Sequence, residues 1–186
     1  MSFPVEIETE RLILRPYAAK DLAAHVEILA DWQVTRWLSN NVPFPYRRSD
    51  GEAFIAEAAQ QFEDGSSIRY AMTDKASGRH IGGIRVFAVA PESEIGYWMA
   101  PDFWGRGLGS EVLRAVIRAG FDSGIITCFV AQTAAQNRGS RRILEKAGFR
   151  HAGTPPPEYA RCGHGDGCSE YYRLPLARWR QQEKDV

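Results

Sequence analysis

Residues 101 to 115, PDFWGRGLGSEVLRA, place three glycines at alternate positions directly ahead of a run that can only be helical. A glycine costs a helix roughly 1 kcal/mol against alanine, so three at its mouth imply that bare backbone is needed there. Behind the turn, Val112, Leu113, Val116, Ile117 and Phe121 form an apolar stripe, which predicts a helix from about 109 to 123 with one buried face. Ahead of it, ESEIGYWMA follows the Pro91 break and reads as a strand that ends at Pro101. The first N–H groups of a helix entered this way have no partners, and the positive end of the helix dipole lies behind them, a combination suited to phosphate. Without β-carbons at Gly105, Gly107 and Gly109, a diphosphate could touch the backbone, and Ser110 adds a hydroxyl. A tight connection that binds nothing would use the same residues, so the rest of the chain has to decide.

Two familiar phosphate loops are excluded by spacing. The nucleotide-triphosphatase loop ends in Gly-Lys-Ser/Thr, and no lysine lies between Lys75 and Lys146. The dinucleotide fingerprint needs a glycine where Ser110 stands and a parallel strand pattern that the preceding segments lack. Lysine plus arginine (23) equals aspartate plus glutamate (23), so no global field favours nucleic acid or an anionic membrane, and a phosphate site must be local. No apolar run approaches the roughly 20 residues that cross a bilayer. An odd number of cysteines, three, and Glu6, Glu8 and Glu10 where a signal peptide would be basic and then apolar, point to a reducing cytoplasm.

The remaining chain reads as α/β and, at 186 residues, as one domain spanning 1–186. RLILRP (11 to 16) is a strand, DLAAHVEILA (21 to 30) a helix, NNVPFPYRR a loop, and SDGEAFIAEAAQQFEDG (49 to 65) a helix closed by Gly65. IRYAMTD, HIGGIRVFAVA and ESEIGYWMA form a three-stranded antiparallel meander. ITCFVAQ (126 to 132) is a buried strand, and NRGSRRILEKAGF is a helix ending at Gly148 in a Schellman turn. Two more strands, about 149 to 153 and 170 to 174, close the chain as a long hairpin.

EIGYWMAPDFWGRGLGSEVL, followed some 30 residues later by NRGSRRILEKAGF, resembles the acetyl-CoA-binding motifs of the GCN5-related N-acetyltransferases, the GNAT family. The opening ETERLILRP and the segment PFPY resemble its RimJ/RimL branch of ribosomal-protein N-terminal acetyltransferases, and the likeness runs in order from about residue 8 to 176. Where the family frequently carries Gln or Arg three positions before Gly107, this chain has Trp104. The resemblance implies a mostly antiparallel mixed sheet of about seven strands, splayed at its middle and flanked by about four helices. It implies acetyl-CoA as co-substrate, lying in the gap between strands 92–99 and 126–132, with its diphosphate on Gly105 to Ser110 (Gly105, Gly107, Leu108, Gly109, Ser110), Arg106 as a nearby cation, and Trp104 among the cofactor-binding residues. Unpaired backbone groups at Trp98 and Met99 would pair with pantetheine, and Asn137 would orient its arm. Arg138, Arg141 or Arg142 could meet the nucleotide phosphates, although each also suits a solvated helix surface.

Acetyl transfer to an amine needs a base, an oxyanion donor and a proton for the leaving thiolate. Glu94 is the candidate base, sharing a strand face with Gly96 and Trp98 by period two; the same carboxylate could simply face water. By family geometry the Met99 N–H is the oxyanion donor and Ser140 the proton donor, although Asn and Ser also favour helix starts as caps. Tyr97, Tyr171 and Tyr172 stand in reserve. CGHGDGC (162 to 168) invites a zinc reading through Cys162, His164, Asp166 and Cys168, but four ligands crowded on one tip argue against it and no metal is expected. Cys128 reads as inert packing, and His25, His80 and His151 as isolated and ordinary. The acceptor should meet segments 31–46 and 155–170. The chain is therefore expected to acetylate a protein or peptide N-terminal amine, with a small-molecule amine, or a non-catalytic acetyl-CoA-binding role, as the alternatives.

Overall fold

The computed structural model describes residues 3–154, 161 and 169–184. Its strands are β1 (Ile7–Glu8), β2 (Leu12–Pro16), β3 (Ile68–Asp74), β4 (His80–Val86), β5 (Glu92–Met99), β6 (Cys128–Ala134), β7 (Arg150–Gly153) and β8 (Ser169–Pro175). They form one eight-stranded sheet in the order β1-β2-β3-β4-β5-β6-β8-β7, antiparallel except where β5 meets β6. The helices are α1 (Leu22–Ala30), α2 (Trp32–Thr35), α3 (Arg48–Asp64), α4 (Leu108–Asp122), α5 (Arg138–Lys146) and α6 (Leu176–Lys184). The sheet exceeds the expected seven strands by β1, whose two residues are too few to show alternation. The helices exceed the expected four by α2, a single turn capped by Asp31, and by α6, whose one buried residue, Trp179, makes no stripe.

The predicted stripe of α4 is buried in full: Val112, Leu113, Val116, Ile117 and Phe121 all enter the core. Each such side chain contributes roughly 1.5–3 kcal/mol on leaving water, which fixes this helix on the sheet. Gly120 lets it sit close, because a β-carbon there would lie 2.4 Å from the Phe129 ring. On the opposite face α3 crosses α1 at Gly51, where a β-carbon would come within 2.7 Å of Val26. The α5 ending is the predicted Schellman turn: Gly148, at φ +95°, donates to the Glu145 carbonyl and Phe149 to that of Leu144.

The feature that positions the site is the parting of β5 from β6. They pair only from Glu92↔Cys128 to Glu94↔Val130. Beyond that β5 keeps to β4 as far as Met99, whereas β6 keeps to β8 as far as Ala134. A V opens between them, with α4 and α5 over one face of the sheet and α1 and α3 over the other.

Candidate active site

The glycine turn sits at the mouth of the V. Gly105 and Gly107 adopt φ of +73° and +81°, which side chains rarely tolerate, and Gly107 is the N-cap of α4. Gly109 has a different job. It is inside the helix, and a β-carbon there would meet Ile143 at 2.8 Å, so its bareness lets α5 approach α4. The turn is pinned from the chain's opening segment. Arg11 donates to the Arg106 carbonyl at 2.8 Å, while Glu111 accepts from the Thr9 hydroxyl at 2.6 Å and from the Arg11 backbone and Nε at 2.9 and 2.8 Å. Burial pushes the Glu111 pKa up, but these bonds outweigh it and hold the carboxyl below its usual range. ETERLILRP marked the fold in the sequence, but nothing in it said that Thr9 and Arg11 brace the turn.

On the β4 side, Ala100 donates to Ile81 and Phe87 to Glu94. Antiparallel alternation then turns the backbone groups of Glu94, Gly96 and Trp98 toward β4, and those of Tyr97 and Met99 into the V. The open edge expected at Trp98 and Met99 is therefore at Tyr97 and Met99, since the Trp98 backbone is committed to Gly83 opposite it. The Trp104 indole N–H, at 2.7 Å, occupies the Met99 carbonyl, and the Met99 N–H faces the V. Across the gap, the Tyr97 hydroxyl lies 3.1 Å from Ser140 Oγ, and burial pushes that phenol above its ordinary pKa. Asn137 Oδ1 accepts from the Ser140 N–H at 3.1 Å, the capping arrangement of a helix start. Arg138 and Arg142 line the cleft. Arg141 is turned away from it, bonded to the Tyr172 hydroxyl and the Ala135 carbonyl.

A cleft of about 1080 Å³ runs through the V and joins both faces of the sheet. Glu94, Ser140 and the residues assigned to cofactor binding line it except Arg106, whose guanidinium lies 5.2 Å above the Phe103 ring; of the reserve tyrosines Tyr97 lines it, and Tyr171 and Tyr172 do not. Ser140 enters from the α5 side. Glu94 enters from the α1 and α3 side, beside Arg85 of β4, whose pKa is lowered by burial and by Arg69 while Glu57 and Glu94 oppose the fall. On that side His25 and His80 are not isolated, which corrects the sequence reading. Both are buried, their rings 6.0 Å apart and each edge-on to Trp98, with His25 stacked on Phe54 at 4.6 Å. Burial holds His25 down to about 3 and His80 to about 4, so both are neutral at physiological pH. His25 Nε2 lies 3.0 Å from the hydroxyl of Tyr46, a cleft residue the sequence did not single out. His151 is not isolated either, being paired with Glu170 and edge-on to Tyr172. Residues 162–168, with the considered zinc ligands, lie outside the described residues, among which no metal-binding cluster occurs. No helix among them is long and apolar enough to cross a membrane.

The acetyltransferase (GNAT) domain family matches the chain over residues 11–150. The N-acetyltransferase YoaA of Bacillus subtilis is 31% identical over 156 residues, which cover 81% of this chain and 85% of that one. Mycobacterium smegmatis RimJ, solved with a CoA disulfide, superposes with a TM-score of 0.81 at 17% identity, covering 95% of this chain and 91% of its own. RimL, a ribosomal L7/L12 alpha-N-protein acetyltransferase solved with coenzyme A, gives 0.77 at 19% identity, covering 95% and 98%.

Proposed function

The chain belongs to the GNAT acetyltransferases, and from that premise we propose that it transfers acetyl from acetyl-CoA directly to the N-terminal amine of a protein or peptide. The observation that carries the reading is the continuity of the cleft: it connects a phosphate-suited helix mouth on one face with a carboxylate on the other, by way of the Met99 N–H. The diphosphate of acetyl-CoA rests on the amides from Gly105 to Ser110, where no β-carbon intrudes at Gly105 or Gly107 and the α4 dipole favours negative charge. Trp104 closes the end of the V by donating to the Met99 carbonyl, and pantetheine pairs with the exposed edge at Tyr97, which leaves the Met99 N–H for the thioester oxygen.

The acceptor enters from the α1 and α3 side. Glu94, directly or through a water, takes the ammonium proton, and the neutral nitrogen attacks the thioester carbon. A C–N bond forms, the Met99 N–H receives the developing oxyanion, and the C–S bond then breaks. As it breaks, Ser140 gives its proton to the departing thiolate and takes one back from solvent, the second proton of the attacking nitrogen leaves to solvent along the Glu94 side, and the Tyr97 hydroxyl beside Ser140 fixes its rotamer. The acceptor class draws support from the likeness to RimL, an alpha-N-protein acetyltransferase.

The test is Glu94→Gln. We expect kcat to fall about 100- to 10,000-fold while acetyl-CoA affinity is kept, with Ser140→Ala lowering kcat less and also sparing affinity. Wild-type protein that binds acetyl-CoA yet acetylates none of a broad panel of N-terminal peptides, polyamines and amino acids would instead be a binding module.

A further inference from the structure

The acceptor side of the cleft holds a charge whose partners are incomplete. Arg69, on β3, is 97% buried by its 3% exposure and lines the cleft. Its Nη2 meets Glu57 Oε1 at 2.9 Å, but Glu57 is 55% exposed, and among the described residues nothing accepts from Arg69 Nε or Nη1. The guanidinium lies 4.8 Å over the Phe54 ring, which offsets only part of its lost hydration. Arg85 stands directly opposite on β4, so a second cation sits beside the first, with Glu57 and Glu94 acting on it as counter-charges.

The phenols beside it point the same way. Arg69 acts electrostatically on both Tyr17 and Tyr46, which line the cleft with it. His25 Nδ1 is buried without a partner, and a buried bare lone pair is better tolerated than a buried orphan N–H. The imidazole proton therefore belongs on Nε2, donating to the Tyr46 oxygen, and the Tyr46 O–H is left to donate into the cleft. Around Arg69 the cleft thus offers unfilled donors, among lining carboxylates of which Glu57 is the one bonded to Arg69.

We propose that this corner is a carboxylate-reading pocket, so that the acceptor amine carries a carboxylate that seats on Arg69 in place of Glu57, with Tyr46 donating to it. The inference rests on the acceptor entering on the Glu94 side, as proposed above. Register sets the distance. Arg69, Arg85 and Gly96 lie in one row across three strands, and Glu94 is two residues along from Gly96. At about 4.8 Å between strands and 3.3 Å per residue, the Arg69 and Glu94 α-carbons are about 12 Å apart. Both side chains rise from the same sheet face roughly perpendicular to it, so their tips stay about that far apart, which spans an amine and a carboxylate one or two residues apart with a hydrogen bond at each end. The carboxylate has two chemical sources, an acidic side chain in the second residue of a peptide or the free carboxylate of a short amino acid or dipeptide.

The experiment is calorimetry on the CoA-loaded protein with matched acceptors. Ala-Asp-amide against Ala-Asn-amide tests the acidic side chain, and Ala-Gly against Ala-Gly-amide tests the free carboxylate. We expect the acid to bind about tenfold tighter than its neutral partner in one of the two arms. Arg69→Met should erase that difference, Arg69→Lys should restore part of it, and Glu57→Gln should strengthen binding of the acid. Equal binding within both pairs overturns the proposal, and so does an Arg69→Met that weakens acid and amide alike. If Arg69→Met does not fold, Glu57→Gln decides, and unchanged acid affinity there rejects the pocket. A preference that survives while no acetyl moves in any assay keeps the pocket and counts against the proposed activity.

Discussion

On the α4 and α5 face, the cleft is walled by backbone and by apolar packing: a turn with two left-handed glycines, a helix mouth, and a stripe from Val112 to Phe121 that locks the helix down. On the α1 and α3 face it is walled by polar side chains set among aromatic rings, with Tyr17, Tyr46 and Arg69 lining it and the buried His25 and His80 rings packed behind them against Trp98. The first face is largely satisfied within itself, Glu111 alone taking three hydrogen bonds from Thr9 and Arg11. The second leaves both His80 nitrogens, His25 Nδ1 and two Arg69 nitrogens without protein partners among the described residues. A wall built of backbone geometry can hold a ligand part that does not vary, whereas a wall of incompletely paired side chains leaves its last hydrogen bonds to an incoming molecule.

Damage to each face should therefore show in a different constant. The largest effect is expected from Gly107→Val. At φ +81° a β-branched residue is strained by about 1–3 kcal/mol, and relief comes only by turning the first amides of α4 away. Acetyl-CoA affinity should fall by up to about 100-fold, while the KM for the amine, measured at saturating acetyl-CoA, stays near wild type. A Gly107→Val protein whose amine KM moves more than its acetyl-CoA affinity would mean that the faces are not separate.

The same contrast explains what was legible. The sheet from β2 to β8, α4 with its buried stripe, and the α5 ending could be read because alternation, helical period and a left-handed glycine are local. The bare backbone of the glycine turn could be read for the same reason, whereas its assignment to acetyl-CoA came from the family resemblance. The cluster of His25, Tyr46, Phe54 and His80 could not be read, because α1, the PFPY loop, α3 and β4 meet only through the tertiary fold, and each residue alone looks unremarkable. Trp98 was misjudged by one position, since which backbone groups of β5 face the V depends on its register with β4 rather than on its composition. Gly109 was grouped with its neighbours by spacing, although its reason is Ile143, more than 30 residues later.

The buried imidazoles give the second effect, on stability. Their folded pKa values, about 3 for His25 and about 4 for His80, lie below the unfolded value, so the unfolded chain takes up protons that the folded chain refuses. Stability is fully present above about pH 6.5 and is lost as the pH falls toward those folded values. Between pH 6 and 5 the pair should cost about 2 kcal/mol, before protonation of Asp21 and Glu111 adds to the loss at lower pH. Urea unfolding across pH 5–7.5 measures this, and His80→Gln should remove about half of the slope in that window. A wild-type curve flat from pH 7 to 5 would mean that these rings are hydrated, and that this face is not the dry, under-paired wall described above.

The smallest effect separates the motif glycines from one another. Gly109→Ala gains about 1 kcal/mol of helix propensity, and its conformation needs no left-handed backbone, so unlike Gly107→Val it should leave acetyl-CoA affinity within about twofold. Its cost is the 2.8 Å approach to Ile143 Cδ1, the far end of a flexible side chain, so the net change in stability should stay within about 1 kcal/mol. Ile143→Val removes that methyl and should cost roughly 0.5–1.5 kcal/mol alone but less in the Gly109→Ala background, because the crowded atom is gone. Additive effects in this cycle would place the reason for Gly109 outside the α4 and α5 contact. A large loss of acetyl-CoA affinity in Gly109→Ala would return it to the diphosphate, as one of three glycines that must be bare for the ligand's sake.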